Sequence, residues 1–159
     1  MFKRMLNFPE RITYNRLIDV CARRSAQVYA KVRLADVLPI ENSGISKLLY
    51  EFALQAHYDF VVADLLQRPL FAVEFDGPTH GSSTQGERDS KKNDLSQRFG
   101  LPLIRIKAHD LHRSESRLDR LTRVAEGWFD RSQIEPETGN GGLTEIMSKF
   151  PDQGADMAE

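Results

Sequence analysis

Apolar positions along the chain change their spacing several times, and each change marks an element. From Pro9, which suits the first turn of a helix, to about Arg24, the residues Ile12, Leu17, Ile18 and Cys21 recur at helical spacing. Gln27 to Leu34 alternates Val28, Ala30, Val32 and Leu34 against polar neighbours, which predicts a half-buried strand. A loop with Pro39 and the Asn42-Ser43-Gly44 triplet follows, then a second helix over 46–57, capped by Ser43 or Ser46. Tyr58 to Asp64 and Leu70 to Phe75 are two apolar runs joined by a short polar turn, which reads as a hairpin. A charged helix over 87–99 points Leu95 and Phe99 inward and stops at Gly100. Leu101 to Ile106 is a buried strand, and 114–130 a final helix through Leu118, Leu121, Val124, Ala125 and Trp128.

The order α-β-α-β-β-α-β-α predicts an α/β class: one mixed β-sheet flanked by helices, forming a single domain over 1–131. Residues 132–159 have a different composition. Gly, Pro and acidic residues dominate there, with a short apolar patch at Leu143, Ile146, Met147 and Phe150, and a flexible acidic tail is expected.

Composition narrows the classes. A length of 159 residues holds one ordinary domain with a core, and not two. The lone cysteine, Cys21, cannot form an internal disulfide and is expected in the core. No apolar run approaches the roughly 20 residues that span a bilayer, and no signal-peptide pattern opens the chain, so a cytoplasmic protein without a membrane partner is expected. The net charge of −1 conceals an asymmetry. The tail has six acids and one base, so the body balances at +4, and residues 1–34 alone carry eight basic side chains against Glu10 and Asp19. A mildly basic body is compatible with a nucleic-acid partner.

Candidate chemistry concentrates on the hairpin. Unpaired acids are costly in buried strands, yet Asp59 opens one apolar strand while Glu74 and Asp76 close the next. Two residues apart on a strand, Glu74 and Asp76 face the same way, and hairpin pairing brings Asp59 across from them. Three converging carboxylates repel one another unless a cation lies between them. Hard oxygen donors of this kind suit Mg²⁺ or Mn²⁺. The competing reading has the same acids solvated, or paired with Arg33 or Arg105. No phosphate-binding glycine loop, zinc-spaced Cys/His set or nucleophile motif is present, so no small-molecule cofactor is expected. His109 and His112 read as surface, the loop His80–Gly86 as either a plain surface loop or one that contacts a phosphate backbone through its amides and hydroxyls, and Trp128 and Phe129 as core closure.

The pair YDFVVAD…LFAVEFDGPTH, followed by ERDSKKNDLSQRFGLPLIRI, resembles the PD-(D/E)XK nuclease superfamily. Within it the chain looks like the branch near the very-short-patch-repair endonucleases, and most like the bacterial domain-of-unknown-function family 2726. FPERITYNRL as first helix and KVRLADVL as the next strand agree, so the resemblance spans roughly residues 8–107. It implies a restriction-endonuclease-like core and a metal-dependent endonuclease that hydrolyses DNA phosphodiester bonds through an Asp-Glu-Asp site.

The roles carried over are implied by that resemblance. Asp59 takes the place of the first motif aspartate and Glu74 that of the second acid; with the Phe75 carbonyl they hold Mg²⁺ or Mn²⁺. Asp76 stands where the superfamily name puts lysine, as a further ligand or a water-orienting acid. Glu10 matches the first-helix acid in the outer shell. His80, or a lysine of the charged helix (Lys91 or Lys92), assists proton transfer; read from the helix itself, Arg88 and Lys91 contact DNA, with a solvated, ion-paired face as the alternative. Relatives are often joined to a DNA-binding module, and targeting is expected to come from a protein partner. Two other readings stay open: a nuclease-like fold that binds DNA or a protein without cutting, and a subunit of a larger complex.

Overall fold

The computed structural model describes residues 2–76, 83–107 and 120–133. Eight main elements follow in the expected order. They are α1 (Phe8–Ala22), β1 (Ala26–Arg33), α2 (Lys47–Gln55), β2 (His57–Asp64), β3 (Pro69–Asp76), α3 (Ser83–Arg98), β4 (Leu103–Lys107) and α4 (Arg120–Gln133), with a 3₁₀ turn at Leu34–Asp36. The expectations for His80, His109, His112, residues 114–119 and the tail from 134 onward fall outside the described residues.

The helix starts are chemically explicit. Asn7 caps α1 by accepting the Glu10 N–H through its side chain at 2.9 Å, and the Glu10 carboxylate accepts the Asn7 N–H at 3.0 Å. This reciprocal box satisfies two backbone donors that a helix start leaves open. Pro9 lies in the first turn as expected. Ser46, one of the two serines expected at this position, caps α2. The α3 helix begins at Ser83, four residues before the expected start, so Ser83–Gly86 is helix and not loop. Gln85 donates to Asp89 one turn on, and a side chain at Gly86 would meet open space, so the extra turn is self-supporting and unobstructed. Gly100 ends α3 with φ +69°, the left-handed conformation that glycine adopts at least cost.

The strands form one sheet in the order β1-β2-β3-β4. The first two neighbours pair antiparallel and β3 pairs parallel with β4. The hairpin is therefore present, and α3 is the crossover that a parallel pair requires.

Helices cover both sheet faces. On one, Leu17, Val20 and Cys21 of α1 and Leu121, Ala125 and Phe129 of α4 pack on Phe60, Val62, Phe71 and Val73. Phe71, fully buried, has Trp128 at 5.0 Å and Phe129 at 5.8 Å between ring centroids; this burial contributes roughly 1.5–3 kcal/mol. On the other face, Leu34, Leu38 and Ile40 with Ala53 of α2 and Leu95 of α3 pack on Tyr58, Val61 and Ala72. Cys21 is core, as expected, and burial pushes its thiol up to about 12. No helix among the described residues is long and apolar enough to cross a membrane.

Period-two alternation fails at one place, and that place positions the site. Ala30 packs on the α1/α4 side while Val32 packs on the α2/α3 side, although strict alternation puts both on one face. The same switch separates Phe60 from Tyr58 on β2. Between them lies Lys31, with φ +55°, a strained conformation costing about 1 kcal/mol or more for a residue with a side chain. The register runs Ala30↔Phe60 and then Val32↔Tyr58, so Lys31 stands opposite Asp59 at the irregularity.

Candidate active site

The β2–β3 ladder ends at Phe60↔Val73, and one step beyond it the strands part at Asp59 and Glu74. Parting strands leave backbone groups without ladder partners. Asp59 resolves one of them: its Oδ2 accepts the Phe75 N–H at 2.9 Å. The other oxygen, Oδ1, accepts from Lys31 Nζ at 2.7 Å. That same ammonium donates to Glu10 Oε1 at 2.8 Å, so a single lysine ties the first helix to the hairpin.

Glu74 points to the other side, toward α3. Both of its oxygens accept from Lys92 Nζ at 2.7 Å, in a pair of which only about a tenth of either side chain is exposed. Lys92 reaches it because the α3 face carrying Leu95 and Ser96 is packed on Tyr58, whose hydroxyl bonds Ser96 Oγ at 2.7 Å. Burial raises the Glu74 carboxyl above its ordinary value; Lys92 and Arg105 oppose the rise, and the nearby Asp59 charge adds to it. For Lys31, burial works against the ammonium, but the bonds to Asp59 and Glu10 outweigh it and its pKa is raised.

Asp76 faces the same way as Glu74, as the two-residue spacing predicts, but it is engaged elsewhere. Arg105 on β4 donates to its Oδ1 at 2.8 Å, and also reaches Asn93 at 3.1 Å and Asp89 at 3.4 Å on α3. Glu10 is on the Asp59 side, sharing Lys31. Lys91, offered with Lys92 as a cation for the site, turns instead toward α2, its ammonium 5.6 Å from the centre of the Phe52 ring. Arg88 is exposed on α3. Arg33 takes Asp36.

The expected convergence of three carboxylates is not seen: among the described residues no group of three His, Cys, Asp or Glu side chains is arranged to hold a metal ion. The chain answers carboxylate repulsion with its own cations, Lys31, Lys92 and Arg105, against Glu10, Asp59, Glu74 and Asp76. Asp59 and Glu74 flank the end of the β2–β3 ladder, each already bonded to a lysine, so an ion there has to share their oxygens with Lys31 and Lys92. Glu10, Asp59, Glu74 and Asp76 outnumber Lys31, Lys92 and Arg105 by one charge, and hard carboxylates of this kind suit Mg²⁺ or Mn²⁺, ions that keep several waters and need few protein ligands. Lys31 is not foreseeable from sequence. Its place in the alternating QVYAKVRL run marks it as an outward, solvated residue, and only the left-handed turn of the backbone presents it to Asp59.

A family model described as a protein of unknown function (DUF2726) matches residues 2–123. No curated protein and no solved structure matches the chain.

Proposed function

The chain belongs to the family of unknown function DUF2726; from the site at the parted strands and the acid motif it carries, we propose a metal-dependent nuclease that hydrolyses DNA phosphodiester bonds. The observation that carries the reading is the placement of Asp59 and Glu74 together at the end of the β2–β3 ladder, with Lys92 bound to Glu74 from α3. The resemblance to the PD-(D/E)XK superfamily and to a restriction-endonuclease-like core supports it: an aspartate and a glutamate match the two acid positions, and the helix lysine Lys92, bound to Glu74, is a cation in a site whose motif lysine is replaced by Asp76.

Each residue then has a task. Asp59 and Glu74 would hold Mg²⁺ or Mn²⁺, with the Phe75 carbonyl as the third donor that the resemblance implies. The ion, when bound, supplies Lewis acidity toward the phosphodiester. Lys92 fixes the Glu74 carboxylate through both oxygens. The Phe75 N–H orients Asp59. Arg105 holds Asp76 against α3, which makes Asp76 a positioning residue more than a ligand. Lys31, a third exposed, is the site cation best able to exchange a carboxylate for a phosphate oxygen.

A second reading is a module of the same fold that binds DNA or a protein without cutting. The ion pairs Asp76–Arg105 and Asp59–Lys31 favour it, because carboxylates satisfied by side chains need no metal.

The two readings separate in a cleavage assay on supercoiled plasmid, linear duplex, single-stranded and branched DNA with Mg²⁺ or Mn²⁺. Cleavage that stops in EDTA is the expected result. Intact DNA on every substrate, with binding retained, supports the module and contradicts the nuclease.

A further inference from the structure

A cavity of about 450 Å³ opens beside the carboxylate site and shares two residues with it, Glu10 and Lys31. Its other walls come from the segment before α1 and the helix's first turn, including Arg4, Met5, Phe8 and Arg11. The charge balance is one-sided. Arg4, Arg11 and Lys31 are basic, and the single acid, Glu10, is already bonded to Lys31 and to the Asn7 N–H. No acid among the described residues pairs with Arg4 or Arg11.

The apolar part is equally unusual for a free surface. Phe8 is 67% exposed and Met5 78%, where a solvent-facing helix start needs neither. The Arg11 guanidinium lies 5.8 Å from the Phe8 ring centroid, a cation–π contact that holds the ring at the cavity wall.

An exposed aromatic face beside unpaired guanidinium groups is the chemistry that takes a base and its phosphate together. The volume lies within the range of small-ligand sites. We infer that this cavity receives one unpaired nucleotide of a DNA strand, its phosphate among Arg4, Arg11 and Lys31 and its base stacked on Phe8. The adjoining phosphate then reaches the Asp59–Glu74 pair through Lys31, which both sites share. A base inside a duplex is already stacked and cannot lie on Phe8, so the substrate class is single-stranded or locally unpaired DNA. This assignment rests on the nuclease reading for its role in catalysis, but the binding itself does not.

Fluorescence anisotropy in EDTA, with a labelled oligothymidylate and a blunt duplex of equal length, tests binding apart from cutting. The wild type is expected to bind the single strand more tightly. Phe8→Ala is expected to weaken that binding by about 5- to 100-fold, as loss of one base–aromatic stack does, and to leave the duplex unchanged. Phe8→Trp retains the affinity. Arg4→Ala with Arg11→Ala lowers the slope of log affinity against log salt by about 0.7 for each phosphate that the protein no longer neutralises. Because Phe8 is exposed, its replacement leaves the core intact. Single-strand affinity unchanged by Phe8→Ala, or tighter binding of the duplex, overturns the inference. Strong single-strand binding sensitive to Phe8, without cleavage in Mg²⁺ or Mn²⁺, overturns the nuclease reading and leaves this one standing.

Discussion

Lys92→Met is expected to destabilise the protein by about 3–5 kcal/mol at neutral pH, the loss typical of a buried ion pair stripped of one partner. Both Glu74 oxygens depend on that ammonium, and the pair is nearly excluded from solvent. The loss also depends on pH. Burial already raises the Glu74 pKa above its ordinary 4.5 in the folded chain, and removing Lys92 removes a main force opposing the rise. A group whose folded pKa exceeds its unfolded value stabilises fully below the unfolded value and loses that contribution as pH rises through the folded one. The gap between variant and wild type is therefore expected to narrow as pH falls toward 4.5.

The gap is the quantity to follow, because Asp36, Asp64 and Glu126 act in the opposite sense. Arg33, Arg68 and the Arg23/Arg24 pair hold those carboxyls below their ordinary values, so their contribution falls in acid in both proteins. Adding Glu74→Gln to Lys92→Met removes the orphaned charge and restores much of the stability. Denaturant unfolding of the wild type and both variants across pH measures all of this. A loss below about 1 kcal/mol, or a gap indifferent to pH, shows that the pair is not buried as described.

The second large effect concerns cleavage. Asp59→Asn keeps an acceptor for the Phe75 N–H while removing the charge, so the strand ends stay in place and the site loses half of its carboxylate pair. Metal-assisted catalysis contributes several kcal/mol, and about 1.36 kcal/mol is tenfold, so a fall of about 10²- to 10³-fold is expected. Glu74→Gln is expected to fall as far, with circular dichroism to confirm its fold. Asp76→Asn keeps the acceptor for Arg105 and is expected to lose only about tenfold, the lower range for a residue that supports a ligand indirectly. Equal losses in all three variants restore Asp76 to the ligand set.

Much of this molecule is legible in its residues. The hairpin of β2 and β3 follows from two apolar runs around a polar turn, and the shared face of Glu74 and Asp76 follows from their spacing. Lys92 is foreseeable as one of two helix lysines, though only packing decides between them: Leu95 and Ser96 set the face that delivers Lys92 to Glu74, and Lys91 falls on the Phe52 side. Three features are hidden. The first turn of α3 holds Ser, Thr and Gly, three residues of weak helix preference, and it forms with the support of the Gln85–Asp89 bond one turn on. Asn7 and Glu10 form a capping box in which Glu10 serves the helix start and Lys31 at once. Lys31 itself depends on a left-handed residue inside a strand, which no alternation of polar and apolar letters reveals.

If Asp59 and Glu74 together hold a divalent ion, a calorimetric titration with Mn²⁺ detects it. One site is expected in the wild type, abolished in Asp59→Asn and Glu74→Gln and retained in Asp76→Asn. No heat of binding in a folded wild type, or a site that survives Asp59→Asn, contradicts that expectation and leaves the carboxylates to their lysines.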